Sequence, residues 1–139
     1  DIAYLLMTPP VTLGYRNRAV AIGIDGVAQG TRPIFTAMVA NTENGGGGMR
    51  LMPGAKFDDG VLDLIEMGDI GPFAILTQVL PKVYSGAHVH HPKVRTGRGT
   101  SFRFESAVET LVDLDGETVG RLPLEVSVIP GGFVVGAVQ

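Results

Sequence analysis

Ile24-Asp25-Gly26, then Gly30, then Pro33-Ile34: this stretch returns ninety residues later as Leu114-Asp115-Gly116, Gly120 and Pro123-Leu124. Asp-Gly between apolar segments is a strong hairpin signal, because Asp and Gly tolerate the positive φ that tight β-turns demand. Both copies lead into an apolar strand. The repeat predicts two similar hairpins, one in each sheet of a sandwich, against the bland alternative that common turns coincide. The copies differ just after the turn, where Val27 stands in the first and Glu117 in the second. The first copy is therefore a structural control for the second.

Outward from the hairpins the pattern stays β. Ser101-Phe102-Arg103-Phe104-Glu105 and Leu124-Glu125-Val126-Ser127-Val128 alternate apolar with polar, the period of a half-buried strand. Residues 18–24 form a strand into the first turn, and 34–41 read as one strand buried on both faces. Short strands at 49–52, 61–66, 110–114 and 133–138 complete the set. Only 72–84 predicts a helix: Pro72 suits the first helical position, and Phe73, Leu76, Leu80 and Val83 keep helical spacing. Pro81 should kink or break its last turn. At the start, Pro9-Pro10 must end any helix. The expected fold is mainly β, an antiparallel β-sandwich with one or two short helices. Residues 1–139 form a single domain without a linker.

Composition agrees. The chain has 139 residues, 20 of them Gly and 9 Pro, fitting a loop-rich β protein of one domain. It has no Cys, which excludes disulfides, thiolate metal sites and cysteine nucleophiles. A net charge of -3 gives no electrostatic footprint for nucleic acid. No apolar run reaches membrane-spanning length. The chain begins at Asp1 rather than Met and is expected to be a piece of a longer protein.

Two acidic turns could carry chemistry. In Lys56-Phe57-Asp58-Asp59-Gly60-Val61-Leu62-Asp63, adjacent carboxylates at a tight turn could aim oxygens at a hard cation, Mg²⁺ or Ca²⁺, or could be a plain polar turn. In Asp113-Leu114-Asp115-Gly116-Glu117, three carboxylates crowd one hairpin tip. Such crowding raises the pKa of one member and makes a general base, or else the tip is a solvated charge cluster. Three other features read more blandly. His88-Val89-His90-His91 places two imidazoles on one strand face, too few for zinc, and reads as a surface strand or loop. Asn44 to Gly48 is followed by Met49-Arg50 instead of the Lys-Ser or Lys-Thr of a phosphate loop and reads as a bulge or close backbone approach. Lys82, Lys93, Arg95, Arg98 and Arg103 could meet anionic lipid, with a solvated face as the ordinary alternative.

Taken in order, Val39-Ala40-Asn41, Gly46-Gly47-Gly48-Met49, and Pro53-Gly54-Ala55-Lys56-Phe57-Asp58-Asp59-Gly60-Val61-Leu62-Asp63 resemble the diacylglycerol kinase catalytic family. That family includes the sphingosine and ceramide kinases. Gly86-Ala87-His88, Pro92-Lys93-Val94, Asp115-Gly116-Glu117 and Pro123-Leu124 continue the match from about Arg18 to the C-terminus. The resemblance implies a two-domain parent with ATP in the cleft between domains. The N-terminal domain binds ATP and carries Gly-Gly-Asp-Gly-Thr, a motif absent here. The present chain is similar to the C-terminal β-sandwich alone, without the opening strands that usually begin it.

The resemblance further implies an ATP-dependent kinase that phosphorylates diacylglycerol or a related lipid alcohol. Glu117 matches the family's proton acceptor, with Asp115 beside it. Asp59 matches a Mg²⁺ ligand, and the backbone carbonyls at Lys56 and Val61 match that ion's other protein ligands. The ion is expected to tether the turn against the companion domain rather than to touch ATP. This piece alone is expected to be inactive, and the parent to be cytoplasmic with peripheral membrane contact. An apolar face left by a missing domain would favour a homodimer. The competing reading is a non-catalytic β-sandwich binding module that uses the Asp59 turn for a divalent ion. A sugar or NAD kinase relative is a third.

Overall fold

The structure, a computed structural model, describes residues 14–132. The expected strand at 133–138 and the double proline at 9–10 lie outside them. Among the described residues nine strands run in chain order: β1 Arg18–Ile24, β2 Val27–Ile34, β3 Thr36–Ala40, β4 Leu62–Met67, β5 Val94–Gly99, β6 Ser101–Glu105, β7 Leu111–Leu114, β8 Glu117–Arg121 and β9 Leu124–Ser127. They form a four-stranded sheet β2-β1-β6-β9, a three-stranded sheet β3-β4-β5, and a two-stranded ribbon β7-β8. Every pairing is antiparallel.

Strand β4 lies between two cores. Leu62 and Leu64 point one way, into a cluster with Val20, Ile22, Ile34, Phe102 and Phe104 from the four-stranded sheet. Ile65 and Met67 pack with Met52, Ile70, Ile75, Val79 and Val94 in a second cluster under the helical segment. The two sheets thus sandwich one core, and the helical segment covers the far face of the smaller sheet. The alternating strands read in the sequence supply the first core. Phe102 and Phe104 of β6 are both buried, flanked by Ile24 and Ile22 of β1 and by Val126 and Leu124 of β9. Burying each such phenylalanine contributes about 1.5–3 kcal/mol.

The repeat is structural. Asp25 and Gly26 have φ of 48° and 77°, and Asp115 and Gly116 have 50° and 90°. Each hairpin carries the same bulge at the same place. Ile22 pairs with Gly30 but Gly23 with Ala28, and Val112 pairs with Gly120 but Asp113 with Thr118. The expectation of one hairpin per sandwich sheet is corrected. The first joins the four-stranded sheet, whereas the second stands as a ribbon of its own.

Other expectations also change. The single strand at 34–41 is two strands, because the chain changes sheets at Phe35, whose N–H donates to the carbonyl of Met67 at 2.8 Å. Residues 49–52 form a turn region closed by a Gly45–Met49 bridge, not a strand. The segment 72–84 divides into an α-helical turn, α1, at Pro72–Ala74, a π-helical stretch at Ile75–Val79 and a 3₁₀ turn at Leu80–Lys82. Pro81 explains the division: it has no N–H to donate and its ring crowds the preceding turn, so the ladder cannot continue as an α-helix. Its buried face is Ile75, Val79 and Val83, while Phe73 is exposed, contrary to the spacing read from the sequence.

Candidate functional site

The β7–β8 ribbon presents the Asp115-Gly116-Glu117 turn. Glu117 opens β8 opposite Leu114 and is exposed. Among the described residues its carboxylate makes no hydrogen bond or ion pair, and neither does that of Asp115. Asp113 is occupied, since Thr118 Oγ1 donates to its Oδ1 at 2.7 Å across the ribbon. The first copy of the hairpin holds Val27 where the second holds Glu117 and forms the same turn and bulge. The hairpin therefore does not need the glutamate to fold. The ribbon also walls a cleft of about 530 Å³ between the sheets. Leu114 and Val119 from the ribbon face Val20, Phe104 and Val126 of the four-stranded sheet and Val39 of β3 across it. An exposed carboxylate thus sits on the hairpin that flanks the apolar cleft.

Asp59 lies in the turn that feeds β4. Its Oδ1 accepts the Val61 N–H at 3.2 Å, an Asx-type contact that shapes the turn. Its Oδ2 accepts a hydrogen bond from Arg98 Nη2. Arg98 belongs to β5, directly across from Asp63 of β4 in the register, and its Nε donates to Asp63 Oδ1 at 3.0 Å. The charges of Asp63 and Asp59 raise the guanidinium's pKa further, so it stays charged. Asp63 Oδ2 is buried and has no hydrogen-bond partner among the described residues.

The amino-acid sequence matches the YegS C-terminal NAD kinase beta sandwich-like domain over residues 1–136. The chain belongs to that family.

Relatives of this YegS-type domain include a diacylglycerol kinase of Mycobacterium tuberculosis, 31% identical over 112 residues, which cover 81% of this chain and 36% of the relative. A diacylglycerol kinase of Staphylococcus haemolyticus is 33% identical over 97 residues, or 70% of this chain and 28% of the relative. Among solved structures, a Bacillus anthracis protein assigned as a diacylglycerol kinase superposes with a TM-score of 0.74 at 26% identity. That match covers 95% of this chain and 45% of the other. The chain thus spans about a third of the length of its curated relatives.

For a YegS-type domain read as holding Mg²⁺, the oxygen chemistry at the Asp59 turn fits. The Asp59 carboxylate and the orphaned, buried Asp63 oxygen are hard donors of the kind that divalent cations take. Among the described residues no group of three or more His, Cys, Asp or Glu converges on one point. Backbone carbonyls, such as those of Lys56 and Val61, and water would complete the shell.

The remaining candidates resolve into structure. His88 lies in a 3₁₀ turn, Ala87–His90, not on a strand, and is fully buried. Its Nε2 contacts the Leu51 carbonyl at 3.2 Å, and burial lowers its pKa from 6.5. It is a core histidine that ties the helical layer to the Met52 loop. His90 is exposed, and His91 Nδ1 accepts the Lys93 N–H at 3.2 Å. In the glycine-rich loop, Gly46, Gly47 and Gly48 have φ of 52°, 80° and 88°, conformations that favour glycine. Glu43 anchors the loop's base. Arg50 Nε and Nη2 donate to its carboxylate at 3.2 and 3.0 Å, and the Gly54 N–H at 2.6 Å. The basic stretch is largely spent locally, on Asp59 and Asp63 by Arg98, on Glu105 by Arg103 and on the Asp69 carbonyl by Lys93.

Sequence reasoning missed Arg98 as a partner of the Asp59 turn because its strand, β5, reads Val94-Arg95-Thr96-Gly97-Arg98-Gly99 and lacks apolar alternation. It missed the clamp on Asp25 for a similar reason. Thr100 N–H, Thr100 Oγ1–H and Ser101 N–H all donate to Asp25 Oδ1 at 2.8 Å from a corner distant in sequence.

Proposed function

We propose that this chain is the C-terminal β-sandwich half of an ATP-dependent lipid kinase acting on diacylglycerol or a related lipid alcohol. The observation that carries the reading is the Glu117 carboxylate, exposed and unengaged on a hairpin whose twin folds with valine in its place. Phosphoryl transfer to an alcohol needs the hydroxyl oriented, the phosphate charge neutralised and a base for the proton. Glu117 takes the hydroxyl proton as the lipid oxygen attacks the γ-phosphorus, the bond to the β,γ-bridging oxygen breaks and ADP leaves, and Asp115 beside Glu117 assists. ATP is held mainly by the companion domain. Asp59 and the backbone carbonyls of Lys56 and Val61 would hold Mg²⁺, which would supply positive charge to the turn, a structural role away from ATP.

The parent works in the cytoplasm and touches the membrane peripherally. Among the described residues no helix is long and apolar enough to cross a bilayer. Leu111, Leu114 and Val119, all more than half exposed, give the ribbon an apolar surface for the companion domain, or for a second copy when that domain is missing. The test is phosphate transfer from Mg²⁺-ATP to a panel of lipid alcohols, run on the whole protein and on this chain alone. Turnover by the whole protein with a silent isolated domain is the expected result. An isolated domain that phosphorylates lipid, or a whole protein that transfers phosphate to none of the panel, contradicts the reading.

The non-catalytic module has one specific observation in its favour. The orphaned Asp63 oxygen invites a cation whether or not the chain serves catalysis.

A further inference from the structure

The Asp59 turn carries its own cation. Arg98 bridges Asp59 and Asp63, with Nη2 on the first and Nε on the second. The two contacts are not equivalent. Asp63 and Arg98 are register partners across β4 and β5, so the Nε contact is built into the sheet. Asp59 belongs to the turn, and its link to Arg98 is made by the distal end of a side chain that is 56% exposed. Resting on the metal reading above, we propose that Arg98 is the resident counter-ion of this turn and competes with a divalent cation for Asp59.

The argument is one of charge and valence. Two carboxylates and one guanidinium leave the cluster with one net negative charge. A divalent ion added to that cluster meets the guanidinium across a short gap, and like charges at such range repel strongly even near a surface. If Nη2 leaves Asp59, that carboxylate is released for the ion and the far end of the guanidinium moves away from it. Asp59 Oδ2 then becomes free to ligate. Nε remains on Asp63, so the arginine pivots without leaving the sheet. Metal occupancy then switches the far end of Arg98 between Asp59 and solvent. The ion's affinity is set by what it costs to displace an ion pair already in place. Exposed ion pairs are weak, so displacement is feasible, yet the competition remains measurable.

The experiment is Mn²⁺ titration of the whole protein, followed by the loss of the free-ion electron paramagnetic resonance signal, with Mg²⁺ as competitor. Arg98→Gln removes the resident charge and is expected to tighten Mn²⁺ binding on the order of tenfold. Asp59→Asn is expected to abolish that site in both backgrounds. Unchanged or weaker binding in Arg98→Gln, with Asp59-dependent binding in the wild type, overturns the competition and leaves the metal reading standing. Absence of Asp59-dependent binding in every variant overturns both. Should Arg98→Gln fail to fold, the wild type still answers. Side-chain ¹⁵N NMR of Arg98 is expected to show faster rotation about the Nε–Cζ bond as Mg²⁺ is added. An ion that binds while the Arg98 signals stay restrained overturns the proposal. Kinase turnover enters none of these readouts, so failure of the lipid-kinase reading stays separable.

Discussion

The carboxylate of Asp25 is the residue-scale device that fixes the first hairpin. It gathers the Thr100 and Ser101 donors, and those bonds lower its pKa from the ordinary 3.8. A carboxyl group with a depressed folded-state pKa stabilises the fold above its unfolded value and loses that contribution as pH falls through the folded value. Asp25→Asn should therefore melt below the wild type at neutral pH, with the gap closing as pH drops below about 4. A gap that is constant from neutral to strongly acidic pH would refute this. His88 opens a second, separate window. Burial depresses its pKa below 6.5, so the unfolded state takes up a proton first on acidification and stability falls below that value. His88→Gln should flatten the loss of melting temperature between pH 7 and 5, where Asp25 is silent. Of these residues the sequence exposed Asp25, through Asp-Gly, but neither its donors nor the burial of His88. Both depend on contacts between segments far apart in the chain, and local spacing carries no trace of those.

At the scale of elements, legibility tracks exposure and alternation. Strands β1 and β6 bury alternate side chains in one core and β9 half-buries Leu124 and Val126 against it, so their period is visible in the letters. β2 and β8 are exposed along nearly their whole length and carry Gly, Thr, Gln and Arg, so only the turns before them marked their place. The helical segment was legible as an element, but its buried face was not, because that face is chosen by packing of Ile75 and Val79 against Met52, Ile65, Met67 and Val94, which lie outside that segment of the sequence, and Phe73 is left exposed. Close packing of elements also makes a sharp prediction. A Cβ on Gly99 would lie 2.6 Å from Ile24 Cγ2 and 2.8 Å from Asp25 Oδ2. Gly99→Ala should cost about 1–3 kcal/mol through overpacking and damage to the Asp25 clamp, measured by urea denaturation. Wild-type stability in that variant would show that the β5–β6 corner is looser than described. By contrast, Val27→Glu places a carboxylate where the twin hairpin already has one and should change stability by less than about 0.5 kcal/mol.

Across the whole molecule, the sheets are pinned by an ion pair as well as by the shared core. Arg32 of β2 donates Nε to Glu66 Oε1 at 2.7 Å and Nη2 to the other oxygen, a bidentate bond from the larger sheet to the smaller. Glu66 is 1% exposed. Removing the arginine alone strands a buried carboxylate, so Arg32→Met should destabilise by about 3–5 kcal/mol, and Arg32→Met with Glu66→Met should recover most of that loss. A single variant as stable as the wild type would mean that the pair is solvated. Beside this two-sheet frame the β7–β8 ribbon forms a separate sheet, with Glu117 at its tip and the apolar cleft along its side. The most direct test of the proposed arrangement is steady-state phosphate transfer from Mg²⁺-ATP to a lipid alcohol by the whole protein, comparing wild type with Glu117→Gln beside matched melting curves. A fall of roughly 10²–10⁴-fold in kcat with an unchanged melting temperature is the expected result. Turnover near that of the wild type would contradict the assignment of Glu117 as the proton acceptor.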